Sequence, residues 1–443
     1  MSRLIITELT PGEKYRFLPW LICGIGAAFY FYEYLLRIAP SVLLPDLMQT
    51  FHLSGAQLGN LSAYFYYAYT PMQLIIGILM DRYGPRYLLL LACAACSIGA
   101  FLFAGSHCIY LAELSRFLIG FGSAFAFVGA LKLATIWLPL ERFAAMCGLI
   151  STLGMIGGIT GVHLLTKLVV NYGWRITTYM SAWLGVIITI IILLIVRDKV
   201  KTKPARQSAY HCAYHPELSL KDLLIGLWQA LKNPYLWMTS IMGMFLFLAL
   251  SAFTELWGIT YLTQAYGLTR TTAGSVITMV YWGWAIGGPL AGWFSDFTRQ
   301  RKLPLMLGSL LAAIIFCIIL FAHSLSLPAL YILFFAFGIL TSVEIITFAI
   351  VREISSPYLA GTSIALINAL IMLGGVIFQP VIGLLLDLDW AGKMVHGVRF
   401  YSVHNYQIAL SVLPIGFIIT FILSFFLRET HCHVVKPGAE ERT

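Results

Sequence analysis

Charge is what this sequence lacks. Only 11% of its 443 residues are Asp, Glu, Lys or Arg, while 60% are hydrophobic; a soluble domain carries about 25% charged residues. So little charge cannot cover a chain of this size with a water-facing surface, so the solvent around most of it is lipid. There is no G-x-x-x-x-G-K-[ST] stretch, which argues against a nucleotide-driven pump. The 8 cysteines form no disulfide framework. Cys23, Cys93, Cys96, Cys147 and Cys317 fall inside apolar runs. The C-x-x-C of Cys93 and Cys96 has no histidine or second pair beside it and reads as small apolar packing. No His/Asp/Glu constellation gathers at one interface, as a membrane enzyme would need, and no cofactor or metal is expected.

What the chain has instead is apolar runs of about 20 residues, the length that spans a bilayer. Twelve are expected, near 18–44, 56–79, 86–105, 109–137, 142–170, 174–196, 234–262, 271–297, 303–322, 327–353, 359–387 and 404–427. The first follows "TPGEKYRF" without a small-residue cleavage site and is expected to be retained. Of the 28 lysines and arginines, Lys167, Arg175, Arg270, Lys393 and Arg399 fall on one side, and Arg37, Arg116 and Lys132 fall within spans. All the others lie on the side of the termini. By the positive-inside rule both termini are cytoplasmic, and the net charge of +9 needs no nucleic acid to explain it.

The longest polar stretch, 197–233, separates 1–196 from 234–443. Its first half is basic with Pro204 and Pro216. Its second half spaces Leu220, Leu223, Leu224, Leu227 and Leu231 as a surface amphipathic helix. The two flanking regions repeat each other. "FHLSGAQLG" at Phe51 and "YGLTRTTAG" at Tyr266 stand 215 residues apart, as do "GILMDRYGPR" at Gly77 and "GWFSDFTRQR" at Gly292. Two matches in one register indicate an internal duplication.

"GILMDRYGPR", with Gly77, Asp81, Arg82, Gly84 and Arg86, resembles the signature of the major facilitator superfamily between its second and third helices. The copy with Gly292, Asp296 and Arg301 is its weaker partner, and "RFLIGFG" in the fourth span, with Arg116, Gly120 and Gly122, is a second family-like pattern. The resemblance implies an all-α polytopic fold of twelve transmembrane helices in two pseudo-symmetric six-helix bundles. It implies that spans one, four, seven and ten line a central cavity. It also implies that the signature residues form a latch between the halves. The fifth span, "STLGMIGGITGVHL", has glycines but lacks the Gly-Pro pattern of drug-antiporter branches.

A charge within the hydrocarbon costs at least about 2.5 kcal/mol, so such residues mark candidate sites. Glu33 and Arg37 share a helix face four residues apart and can pair. Arg37 and Arg116 are the candidate anion binders, with Tyr30, Tyr67, Gln73, Lys132 and Asn368 as further candidate substrate contacts. Arg116 and Lys132 are 16 residues apart, on nearly opposite helix faces. A carboxyl in hydrocarbon needs a cation or a proton, which makes Glu33, Glu255 and Glu344 the candidate proton carriers. The expected function is therefore secondary active transport of a small anionic or zwitterionic solute (amino acid, short peptide or organic anion), by alternating access and with proton coupling. The protein would work as a monomer in the inner membrane. "EYLLRIAPS" and the Tyr-rich second span resemble nutrient-uptake branches of that superfamily. The rivals are an exporter of drugs or siderophores and a non-transporting nutrient sensor, for which the tail "RETHCHVVKPGAEERT" is short.

Overall fold

The structure, a computed structural model, describes residues 11–138, 140–197, 228, 230–322, 324–355, 360–395 and 398–432. Nearly all of them are helical. The first six long helices are α1 (Pro11–Phe51), α2 (Gly55–Tyr83), α3 (Pro85–Ala104), α4 (Ile109–Trp137), α5 (Leu140–Tyr172) and α6 (Trp174–Ile195). The second six are α7 (Pro234–Tyr266), α8 (Arg270–Thr298), α9 (Lys302–Phe321), α10 (Leu327–Ile354), α11 (Ala360–Leu388) and α12 (Val403–Phe426). Most of the expected linker helix, with 198–227, lies outside the described residues; at its end 228, 230 and 231 are helical.

Ten of the twelve helices are long and apolar enough to cross a membrane. The exceptions are α2 and α8. Tyr64, Tyr66, Tyr67, Tyr69 and Gln73 dilute the first, and Arg270, Thr271 and Thr272 the second. Both are 29 residues long, about 43 Å at 1.5 Å per residue, as long as the helices around them.

Local chemistry sets the ends. The Ser54 hydroxyl accepts from Gln57 N and the Gln57 side chain answers to Ser54 N, a capping box that starts α2. Thr269 does the first half of this for α8. The start and end of α8 each lie 215 residues after those of α2, so the sequence repeat is also a structural one. Single glycines at φ +79° (Gly84) and +78° (Gly173) turn the chain between helices.

Within each six-helix group, α3, α6, α9 and α12 stand outermost. They present Leu91, Ile98, Leu194, Ile314, Ile415 and Phe426 outward, as lipid requires. Across the groups α2 packs on α11 and α5 on α8. Cys93 and Cys96 are buried, their thiols donating to the Gly185 and Ile119 carbonyls. Two local departures from α-helix were not readable from periodicity. The middle of α7, Ala249–Trp257, is π-helical, and Ser342–Glu344 in α10 is a 3₁₀ turn. Each contains one of the intramembrane glutamates, in keeping with the tendency of such turns to mark functional positions.

Candidate functional site

One cavity of about 970 Å³ enters the molecule between the two groups. It begins at Tyr30 and Phe127, half-way along α1 and α4. It opens among Gly292, Asp296, Arg301, Arg352 and Glu353, at the face where α1 starts and α12 ends. That face is called the termini face here.

The opposite face is closed by contacts between the groups. Asp387 of α11 accepts from Gly55 N (3.0 Å) and Ala56 N (2.8 Å), so a carboxylate from one group sits on the positive N-terminus of α2 in the other. The Tyr401 hydroxyl (2.6 Å) and Arg399 (2.9 Å) also donate to it. Close backbone approach makes this possible. A Cβ on Gly59 would lie 2.3 Å from the Gln379 carbonyl, and one on Gly383 would lie 2.1 Å from that of Gly55. Beside this latch Arg270 of α8 reaches Asp46 (2.5 Å) and the Val42 carbonyl of α1.

Between the closed face and the cavity lies a buried charge cluster. Arg37 Nε donates to Glu33 Oε1 at 2.8 Å, and the guanidinium lies 4.8 Å over the ring of Tyr34 and 4.9 Å over that of Tyr69. Phe65 has Arg37 at 5.3 Å and Arg116 at 5.1 Å. Arg116 Nη1 donates to the Leu36 carbonyl at 3.0 Å. Glu255, on the π-helical turn of α7, accepts from the Tyr66 hydroxyl across the groups. All four ionisable residues are at most 3% exposed. Two guanidiniums and two carboxylates balance, yet Glu33 Oε2, Glu255 Oε1 and Arg116 Nε find no hydrogen-bond partner among the described residues.

An aromatic layer separates this cluster from the cavity. The Tyr30 ring lies 5.2 Å from that of Tyr34 and 5.1 Å from that of Phe127, and Tyr34 lies 6.4 Å from Tyr281 of α8. The glycines of α5 provide its bed. A Cβ on Gly154 would meet the Tyr30 ring at 2.4 Å, and one on Gly158 the Tyr281 ring at 2.9 Å. Sequence reasoning singled out Tyr30 but missed Tyr34, Phe127, Tyr281 and Trp284. The signal available was the glycine run, whose bare face had to be covered by large side chains.

The remaining sequence candidates are dispersed. Tyr67 donates to Asn60 at 2.8 Å. Gln73 accepts from Asn368 at 3.0 Å, a further bond across the groups. Lys132 is half-buried and Glu344 buried. Of the candidate substrate contacts only Tyr30 lines the cavity in this conformation. The signature residues gather at the termini face. Arg301 bonds Asp296 (2.7 Å) and Glu353 (2.7 Å), Thr430 donates to Glu353 (2.5 Å), and Glu429 accepts from the amides of Arg301 and Lys302 at the start of α9. Burial opposes the charge on Arg301, but Glu353 and Asp296 outweigh it and hold the guanidinium above its usual pKa. Around Gly77 and Gly292 a Cβ would meet nothing within 4 Å among the described residues. Arg82 is exposed, Gly84 forms the turn, and Arg86 donates to the Leu193 carbonyl at 3.1 Å. The side chain of Asp81 lies outside the described residues.

Comparison with known proteins fits this geometry. The model of the Major Facilitator Superfamily matches residues 26–261 and 256–443. The membrane sensor protein UhpC of Escherichia coli is 25% identical over 289 residues, 62% of this chain and 64% of UhpC, so the chain spans just under two thirds of that relative. The probable galactarate/D-glucarate transporter GudP of E. coli is 22% identical over 404 residues, 85% of this chain and 88% of GudP. Among solved structures, a bacterial homolog of the human lysosomal transporter Spinster, in an inward-facing and unoccupied conformation, superposes with a TM-score of 0.71. It is 15% identical and covers 94% of this chain and 96% of its own, a likeness of fold.

Proposed function

Because the chain belongs to the major facilitator superfamily, we propose that it is a secondary active transporter of a small anionic or zwitterionic solute, coupled to protons. It works by rocking the halves 1–196 and 234–443 about a central site. The halves are joined by 197–233, and both termini lie on the cytoplasmic side of the inner membrane. The termini face is then the inner one, and the conformation described above is open inward. A single chain suffices, with the lipid bilayer, the solute and protons as its partners.

The observation that carries this reading is the charge-balanced cluster of Glu33, Arg37, Arg116 and Glu255, buried where the halves meet and beyond the end of a cavity open to one face. Holding four ionisable groups in the membrane interior is costly. A site that exchanges charges uses them. A solute carboxylate or phosphate can replace Glu33 on Arg37 if a glutamate takes up a proton, and the cluster stays neutral throughout. GudP, named for a diacid, supports the anionic class. Glu344, which no basic residue partners among the described residues, is a second proton position.

The test is counterflow and pH-gradient-driven uptake in proteoliposomes, with pools of organic acids, amino acids, dipeptides and sugar phosphates, repeated with Arg37→Ala. Uptake of one anionic class, accelerated by an inward proton gradient and lost in the variant, is expected. Uptake of apolar cations indifferent to Arg37→Ala would refute it in favour of an exporter. The similarity to UhpC favours one further reading, a nutrient sensor. Saturable binding of a solute without counterflow would decide for it.

A further inference from the structure

The wall of the cavity limits what it can hold. Above the charged mouth it is formed by Phe127, Met155, Trp284, Ile345, Ile346 and Ala349. Most of its polar hydrogens are already engaged, the Thr152 hydroxyl being an exception among the described residues. Ser151 Oγ donates to the Cys147 carbonyl at 3.0 Å, Ser342 Oγ to the Ile339 carbonyl at 2.7 Å, and Trp284 Nε1 to Thr341 Oγ1 at 2.9 Å. A polyhydroxylated solute would have to leave water and find few partners, because a buried hydroxyl without a hydrogen bond is penalised. An apolar body gains by the same transfer.

The cavity also carries one cation aimed at a solute. Asp296 and Glu353 already hold Arg301. Arg352 is exposed on the cavity wall and has no ion-pair or hydrogen-bond partner among the described residues. It follows Ile345 and Ala349 at seven and three residues, on one face of α10. From Ile345 to Arg352 that stripe runs about 10 Å along the helix. Trp284 and Met155 also line the cavity.

We infer that the transported solute is a carboxylate with an aromatic or branched aliphatic body, not a sugar phosphate or sugar acid. In the conformation described, Phe127, Met155 and Trp284 hold the body, and Arg352 receives the carboxylate at the inner mouth ahead of its transfer to Arg37. This rests on the anion-transporter reading above and narrows it.

The experiment is calorimetric binding to the purified full chain, with 3-phenylpropionate and its α-amino analogue phenylalanine on one side and glucarate and glucose 6-phosphate on the other. 3-Phenylpropanol is the uncharged control. Either phenyl carboxylate is expected to bind, and the polyhydroxylated anions and the alcohol are not. Trp284→Ala and Arg352→Ala should each weaken binding about tenfold or more, and Ala349→Trp, which fills the cavity while leaving Trp284 and its bond to Thr341 in place, should abolish it. Glucarate or glucose 6-phosphate binding that none of these variants weakens overturns the apolar body and leaves the anion reading standing. Silence from every anion with binding of apolar cations overturns both.

Discussion

The closed face gives the sharpest quantitative expectation. Of the contacts on Asp387, those from Tyr401 and Arg399 come from its own half, so they persist when the halves separate. Only the bonds from Gly55 N and Ala56 N cross between the halves. Hydrogen bonds to a charged group contribute about 1.5–3 kcal/mol each, less when the carboxylate is reached by water. The Asp387 side chain is 13% exposed, so the pair together favours closure of this face by about 2–4 kcal/mol. Asp387→Ala should therefore shift the ratio of molecules closed at this face to molecules open there by roughly 30- to 700-fold. The assay is a spin-label distance between cysteines placed at Gln49 and Leu388, both exposed at the closed face on opposite halves, with the accessible native cysteines replaced. The parent should give one short distance. Asp387→Ala should add a longer population that dominates, and Asp387→Asn an intermediate one. A distance distribution unchanged by Asp387→Ala would show that backbone packing at Gly55, Gly59 and Gly383 closes this face without the carboxylate. Gly59→Val separates the two causes, because its Cβ meets the Gln379 carbonyl at 2.3 Å and should open the face with Asp387 intact.

Three further outcomes follow from the cluster and its aromatic cover. Glu33→Leu alone strands Arg37 and should cost about 3–5 kcal/mol. The double variant Glu33→Leu/Arg37→Met should recover that stability while losing anion binding, as thermal unfolding and binding isotherms would record. Tyr66→Phe removes the donor that Glu255 uses across the halves and should cost about 1–3 kcal/mol, read as a lower melting temperature. Gly154→Val forces its side chain into the Tyr30 ring, 2.4 Å from the Cβ position, and should cost about 1–3 kcal/mol by overpacking. Gly148→Ala, which meets nothing within 4 Å among the described residues, should be neutral or slightly stabilising in the same melt.

Particular residues show what the sequence could and could not disclose. Glu33 and Arg37 sit one helical turn apart, and helix geometry alone brings them together; their spacing was sufficient. The 215-residue repeat carries its caps with it, because Ser54 and Thr269 do the same local chemistry at the same register. The approach of Glu255 to Tyr66 was not legible, since it depends on a π-helical turn and on how α7 meets α2. Gln73 reaching Asn368, and Asp387 reaching the start of α2, pair residues 295 and 331–332 positions apart. Such contacts depend on which conformation the halves adopt, and a sequence specifies at least two. For the same reason Arg37 and Arg116 are buried here without lining the cavity. Their spans were read from charge, but their access is a property of state.

The arrangement of latches bears on how the proposed cycle turns over. Helix α2 is held at one end by Asp387 and carries Gly77, Asp81 and Arg82 at the other. Helix α8 is held at one end by Asp46 through Arg270 and carries Asp296 at the other. With the termini face open, a Cβ on Gly77 or Gly292 would meet nothing within 4 Å among the described residues, while Gly59 lies in backbone contact with α11. The two helices thus act as levers, latched at one end only. Each latch opens as water replaces its hydrogen bonds, so the loss at one face is offset by the gain at the other. The difference between states must stay within a few kcal/mol for both to be populated. A variant that removes a latch at one face should then trap the protein open there and slow transport without reducing solute affinity in the exposed site. Strengthening a latch should do the same from the opposite side. Transport that is fastest at the native strength of both, and falls when either is changed, is the behaviour a two-ended lever requires.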